Sequence, residues 1–515
     1  MPLRHFPLLC LTALVLLAAF TRPGIAGEEA SRAETLADLE RAFVAALPGT
    51  TDEARAERRR VLRAIADLDV PMAQMALRDL LVRYGGGGDR GRSLDILSAL
   101  VRRGPSSDLD HAIRWVERAR DPLLLESLSR VLAQAKRPET RTHLQEGALR
   151  RATPAVKAQI VRALGALGER DAAIALLPLL RQDNLRIRVE TMGALGALQD
   201  ERALPMLRVF TKPKDMRLRR AAARALGLLE NVKALPALHA LLDDEEARVG
   251  EAAAQAIGLI GSSESVPILI DGLERALAQD LRVADAFASA LHRISGKANG
   301  TDVDLWRSWW ETAKDKPFVR SDDPGPRGTV EGPNYYGFPV RSSYVVFVLD
   351  VSRSMGWNGR LESARKELAN TISKLPATTF FNILVYSDDV TSWKKQLVAA
   401  KTATKSSAVT FIRGRRPLNG TNSHDALRAA FADPKVDTIF FLTDGHPTVG
   451  GLVDPDLILA AIRNWNRYRD VRIHTIALMR GAPPSAFAGR EDPKRATRFM
   501  EQLAEENEGK YREIR

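Results

Sequence analysis

Residues 344–355 read YVVFVLDVSRSM. The apolar run YVVFVL (344–349) is rich in β-branched valine and too short for a core helix, so it reads as a strand buried on both faces, the kind found in parallel sheets. It runs directly into Asp350, Ser352 and Ser354, three oxygen-bearing side chains at alternate positions. If the loop stays extended, that spacing turns all three to the same side.

The same pattern continues outward. Apolar strands are expected at FFNILVY (380–386), TIFFLT (438–443), RIHTIAL (472–478) and YREI (511–514), with a brief edge strand near Val390. Amphipathic helices are expected near 360–374, 403–413, 423–432, 456–468 and 494–507. Strands alternating with helices predict an α/β, doubly wound, mostly parallel sheet covered on both faces. Ligands of such a sheet bind at the carboxyl ends of the strands, where strand order reverses. Asp444 follows TIFFLT, and Thr421 lies in LNGTNSHDAL at the turn that opens a helix.

Asp350, Ser352, Ser354, Thr421 and Asp444 together supply two carboxylates and three hydroxyls. These are hard donors suited to Mg²⁺, with Mn²⁺ or Ca²⁺ as substitutes, and unsuited to zinc or copper. Taken singly, Ser352, Thr421 and Asp444 also suit helix caps; as a set they point to one metal site. Octahedral Mg²⁺ keeps waters, so a coordination position stays open.

Residues 341–515 resemble a von Willebrand factor type A domain, a Rossmann-like fold, and the D-x-S-x-S, Thr and Asp residues match its metal-ion-dependent adhesion site. The resemblance implies that Ser352, Ser354 and Thr421 bind the ion, that Asp350 and Asp444 bind it directly or through water, and that a partner's carboxylate fills the open position. This chain departs from the family where Gly is common between the two serines, since it has Arg353. If the loop needs positive φ there, Arg353 strains it. If not, Arg353 sets a cation beside the ion, either weakening the metal or helping to hold an acidic partner. His424 and His446 flank the site, but there is no HExxH motif and no G-x-S-x-G elbow, so catalytic residues are not expected.

Upstream the chain repeats. VRALGALGERDAAIALLPLL (161–180), TMGALGALQDERALPMLRVF (191–210), AAARALGLLENVKALPALHA (221–240) and AAAQAIGLIGSSESVPILID (252–271) place Gly165, Gly196, Gly227 and Gly258 at a constant step of 31 residues, as they do Pro205, Pro236 and Pro267. A fixed period of this kind means stacked helix pairs, an α-solenoid. The proline opens the second helix of each pair, and the glycine marks close packing or termination of the first. Residues 156–296 resemble HEAT-like repeats; residues 35–155 read as degenerate helical repeats. Residues 297–340 read as a helix with Trp306, Trp309 and Trp310 capping the last repeat, then a Pro/Gly linker. Arg186, Arg217, Arg248 and Arg282 form a ladder expected to pair with loop acids such as Asp183 and Asp215 of neighbouring repeats. The glycines 85–88 lack the G-x-x-x-x-G-K-[ST] pattern and read as an inter-helix loop.

At the N-terminus, Arg4 and His5 precede an apolar run from Phe6 to Phe20, and Gly24 and Ala26 are placed for a cut before Gly27. Residues 1–26 therefore read as a secretory signal peptide, with no stable membrane span after its removal. Cys10 is the single cysteine, so the mature chain has no disulfide or thiol chemistry. The net charge of +12 is spread along the chain with no nucleic-acid motif. The expectation is an exported protein (periplasmic, cell-surface or secreted) that is not an enzyme and that binds a partner presenting Asp or Glu through its metal. The alternatives are a scaffold that binds through the solenoid with a vestigial metal site and, more remotely, a lyase-like enzyme acting at the repeats.

Overall fold

The computed structural model describes residues 26–48, 52–86, 89–279, 281–315, 333–479, 481 and 493–515. The leader as far as residue 25, Cys10 included, Gly87 and Gly88, and most of the Pro/Gly linker lie outside the described residues. Among the described residues no helix is long and apolar enough to cross a membrane. The chain divides into two compact units, residues 1–167 and 168–515.

The first unit is helical throughout, from Ala26–Ala45 to Pro154–Leu167. Its helices begin where the sequence supplies caps. Asp89 and Asp121 accept backbone N–H groups at the starts of Arg90–Arg103 and Pro122–Leu132, which satisfies donors the helix cannot. Asp108, fully buried, is held by Arg78.

The second unit opens with the regular repeats. The helices Leu185–Ala197 (α1), Met216–Leu228 (α2) and Ala247–Ile260 (α3) start 31 residues apart, and Leu281–Ser295 (α4) follows after three extra residues. The second helices begin at Leu204, Leu235 and Val266 with Pro205, Pro236 and Pro267 in their first turn. The repeated glycines are not terminators. A Cβ on Gly196 would stand 2.9 Å from Cα of Ala225, one on Gly227 2.6 Å from Cα of Ala256, and one on Gly258 2.9 Å from Cα of Ala290. Each glycine therefore lets its helix lie directly on the next helix at an alanine. In the cap helix Val303–Ala313, Trp306 is fully buried and its indole N–H donates to the Gly300 carbonyl at 2.8 Å.

The carboxyl-terminal part is a seven-stranded sheet. Its strands are Tyr344–Asp350 (β1), Phe380–Tyr386 (β2), Val390–Ser392 (β3), Val398–Ala399 (β4), Thr438–Thr443 (β5), Arg472–Leu478 (β6) and Tyr511–Ile514 (β7). The spatial order is β3-β2-β1-β5-β6-β7, with β4 also on β2. Neighbours from β2 to β7 are parallel, and β3 and β4 run antiparallel to β2. Two apolar clusters pack the two faces, one with Phe347, Leu349 and Phe381, the other with Val346, Val348 and Phe441. That even and odd residues of β1 serve opposite clusters is why its sequence is apolar throughout. The segment read as linker ends differently from expectation: Asn334–Tyr335 and Phe338–Pro339 form a hairpin. Tyr335 and Phe338 are buried in the first cluster, with Tyr335 edge-on to Phe347 and Phe440, so the domain's core begins before residue 341.

The arginine ladder has a different role from the expected one. Asp183 pairs with Arg188, and Asp215 with Arg217 of its own repeat. The ladder instead meets the sheet domain: Arg217 lies 5.5 Å from the ring centre of Tyr468, Arg248 donates to the Arg469 carbonyl, and Arg282 donates to the Asp437 carbonyl at 3.2 Å. Behind it, Arg220 pairs with Asp470, Arg224 with Glu508, and Arg341 with Asp285. At the centre Glu251 of α3, almost fully buried, is held by Arg282 at 2.8 Å and by Arg472 of β6. Burial alone would raise the Glu251 carboxyl, but Arg472 and Arg282 outweigh it and hold the group below its ordinary value.

Two outcomes follow from this packing. Gly227→Ala should destabilise the protein by about 1–3 kcal/mol through the helix contact, whereas Gly193→Ala, in the neighbouring helix with nothing near its missing Cβ, should gain about 0.5–1 kcal/mol; chemical denaturation of the two variants checks the contrast. Glu251→Ala strands two buried guanidinium groups and should cost about 3–5 kcal/mol. Because the folded carboxyl lies below 4.5, the Glu251 contribution is complete above that pH and fades as pH falls through the folded value; melting curves across acid pH for wild type and variant read it out.

Candidate metal centre

The chain leaves β1 for β2 on one side and later returns to β5 on the other, so strand order reverses between β1 and β5. Their carboxyl ends deliver Asp350 and Asp444 to adjacent positions. The loop after β1 does not stay extended as the alternate spacing suggested. After Ser352 it folds into a short 3₁₀ turn, with the Met355 N–H on the Ser352 carbonyl at 3.1 Å. The turn, not a strand-like alternation, brings the two serines together.

The resulting chain of bonds is continuous. The Ser352 N–H donates to Asp350 Oδ1 at 2.7 Å, and Thr443 Oγ1 donates to Asp350 Oδ2 at 2.5 Å. Ser352 Oγ lies 3.2 Å from Ser354 Oγ, which donates to Asp444 Oδ1 at 2.7 Å. Thr421 stands on the adjoining loop, which is tied to this one by Leu418 N–H on the Val351 carbonyl at 2.7 Å and Arg353 N–H on the Asn419 carbonyl at 3.3 Å. Its hydroxyl makes no hydrogen bond to the other four among the described residues. All five side chains are buried. Arg353 is exposed at the rim and is not among the residues with positive φ, so the turn accepts it without strain.

Sequence reading missed two participants. Arg360, the first residue of the helix Arg360–Lys374, is buried, and its Nη1 donates to Asp444 Oδ2 at 2.7 Å while Nη2 donates to the Gly481 carbonyl at 2.9 Å. Thr443 passed as the last residue of a strand. For Arg360 no local signal marked its partner 84 residues later; for Thr443 there was only its place beside Asp444. His424 bonds Asp425 at 2.9 Å and packs on Trp465.

The electrostatics define what would fit. Arg360 answers Asp444, but Asp350, wholly buried, has only neutral donors. Burial first, and the charge of Asp444 second, push the Asp350 carboxyl up to about 8. Burial also raises Asp444, against the opposing pull of Ser354 and Arg360. A buried carboxylate lacking a cation, beside hydroxyl oxygens, fits a hard divalent ion. Among the described residues no three His, Asp or Glu side chains gather into a metal cluster, so the donor set is the mixed one of carboxylates and hydroxyls.

An acid whose folded value is raised stabilises the fold below its unfolded value and loses that contribution as pH rises through the folded one. In chelator, therefore, the melting temperature should fall between pH 4 and about 8. Asp350→Asn should flatten that slope, and saturating Mg²⁺ should remove it in the wild type.

The profile of the von Willebrand factor type A domain matches residues 343–512, and that of HEAT repeats matches 141–218 and 209–291. The chain is 32% identical over 126 residues to inter-alpha-trypsin inhibitor heavy chain H4 of Homo sapiens, covering 22% of this chain and 13% of that protein. It is 31% identical over 140 residues to inter-alpha-trypsin inhibitor heavy chain H3 of Mus musculus, covering 25% and 16%. Among solved structures it is similar to a von Willebrand factor type A protein from Catenulispora acidiphila, with a TM-score of 0.28 and 16% identity over 34% of this chain and 39% of that one. Residues 343–512 are a von Willebrand factor type A domain, joined in one chain to HEAT repeats at residues 141–291.

Proposed function

We propose that this protein is an exported, non-enzymatic recognition module that binds a protein partner's carboxylate through a divalent cation held by Asp350, Ser352, Ser354, Thr421 and Asp444. The observation that carries the reading is the buried Asp350 carboxylate, linked through Ser352 and Ser354 to Asp444 and lacking a cationic partner. The charge balance supports an acidic partner. With Mg²⁺ bound and both carboxyls ionised, Asp350, Asp444 and Arg360 sum to one negative charge, so the centre carries one positive charge and a demand for an anionic ligand. When bound, Mg²⁺ supplies a Lewis-acidic position for that ligand; Mn²⁺ or Ca²⁺ would serve the same donors.

The rim suits such a partner. Arg353 is exposed in the loop after β1, Arg413 and Arg416 are exposed on the segment that leads to Thr421, and Leu418 offers an apolar contact at 57% exposure. Contacts at the ionic rim steer association and weaken with salt. The solenoid grips the opposite end of the sheet, through Asp437, Arg472 and Glu508. The apolar leader supports export.

The test is capture of partners from the native extracellular or envelope fraction by the full chain, in Mg²⁺ and in EDTA. Mg²⁺ at about 100 times its dissociation constant should stabilise the protein by roughly 2.7 kcal/mol, and Asp350→Ala should abolish that gain. Ser352→Ala should fold normally and lose the partner. Arg353→Gly should lose affinity at low salt more than at high salt. Capture unchanged by EDTA and by Ser352→Ala would reject the metal bridge and assign recognition to the solenoid.

A further inference from the structure

A cavity of about 360 Å³ lies at the other end of the sheet, where α3 and α4 meet the amino-terminal ends of the strands. A strand of seven residues separates the two ends by about 20 Å, so this space is independent of Asp350 and Asp444. Among the described residues six cations line it, Arg282, Arg293, Lys297, Arg341, Arg472 and Lys510, against two carboxylates, Asp285 and Glu508. The carboxylates are already engaged, Asp285 by Arg341 and Glu508 by Arg224. Arg282 and Arg472 share the single charge of Glu251. Among the described residues Arg293 and Lys297 have no carboxylate partner, so the lining carries surplus positive charge.

His292 adds a directed group. It is 6% exposed, its Nδ1 bonds the Lys297 carbonyl at 2.7 Å, and its buried Nε2 has no hydrogen-bond partner among the described residues although the ring lines the cavity. With Nδ1–H given to that carbonyl, Nε2 remains to accept a ligand's hydroxyl or, as imidazolium, to donate to an anion. The other histidine there is not available in this way. His474 is stacked between Phe338 and Phe440 at 5.0 Å from each. Burial, then Arg472 and Lys510, hold it well below its ordinary value and hence neutral.

We propose that this cavity binds a small polyanion, a molecule bearing phosphate or clustered carboxylate groups, between the solenoid and the von Willebrand factor type A domain. Guanidinium groups from several elements present planar donors that match both kinds of anion, and the volume falls at the lower end of the range of small-molecule sites. Because Arg293, Lys297 and His292 belong to the solenoid and Arg341, Arg472 and Lys510 to the sheet domain, the ligand favours the docked arrangement over any in which the two part.

The test is titration calorimetry of the metal-free full chain at low ionic strength with inorganic pyrophosphate and, separately, citrate. Saturable binding of at least one probe is expected, and the probe that binds identifies phosphate or carboxylate as the recognised group. Arg293→Ala and Lys297→Ala remove no ion pair of the fold, and each should weaken binding about tenfold through one lost charge-assisted contact. Asp350→Ala should leave it unchanged, which separates this site from the metal centre. Absence of binding by both probes, unaltered binding in the Arg293→Ala/Lys297→Ala double variant, or loss of binding in Asp350→Ala would overturn the proposal.

Discussion

Two acidic side chains brought side by side in a place with almost no water is the constraint around which the carboxyl-terminal domain is organised. A parallel sheet whose order reverses between β1 and β5 must end two neighbouring strands together, and here the last residue of β1 is Asp350 and the first past β5 is Asp444. Repulsion and desolvation make that arrangement unfavourable alone. Everything nearby reduces the cost: Thr443 and the Ser352 amide on Asp350, Ser354 and Arg360 on Asp444. Arg360 pairs with Asp444 and leaves Asp350 with neutral donors only.

At its opposite end the domain rests on the repeats through an ion-pair network. Glu251 between Arg282 and Arg472 is flanked by Arg220 with Asp470 and Arg224 with Glu508. Buried pairs of this sort add little net stability compared with apolar packing, but they penalise any shift in register, because each misalignment strands a charge. The solenoid is thus a geometrically exacting seat.

The strands and helices of the sheet domain were legible because their residues are selected by local rules. Apolar runs such as TIFFLT have only one place to go in a covered sheet, and the prolines at 205, 236 and 267 suit only a first helical turn. That Asp350, Ser352, Ser354 and Asp444 lie together was legible for the same reason, each being fixed to a strand end or to the turn beside it. What sequence concealed depends on long-range partners. Nothing local in Arg360 announces a bond to a residue 84 positions later. The ladder of Arg217, Arg248 and Arg282 has the right period for a ridge, but period does not say what lies across from it. The Tyr335–Phe338 hairpin was hidden by its composition, since NYYGFP carries turn formers and the aromatics reveal their burial only when the sheet is present.

The glycine-on-alanine stacking has a consequence for how such a chain can vary. Each repeat contacts the next through an identical seam, Gly196 on Ala225 and Gly227 on Ala256, so a whole repeat can in principle be duplicated or deleted without disturbing the seam itself. The face that carries Arg217, Arg248 and Arg282 has no such freedom, because its spacing must match fixed points on a sheet that does not repeat. Length variation among descendants of this architecture should therefore accumulate before Leu185, while the stretch from α2 to α4 keeps its count of residues, three-residue insertion included.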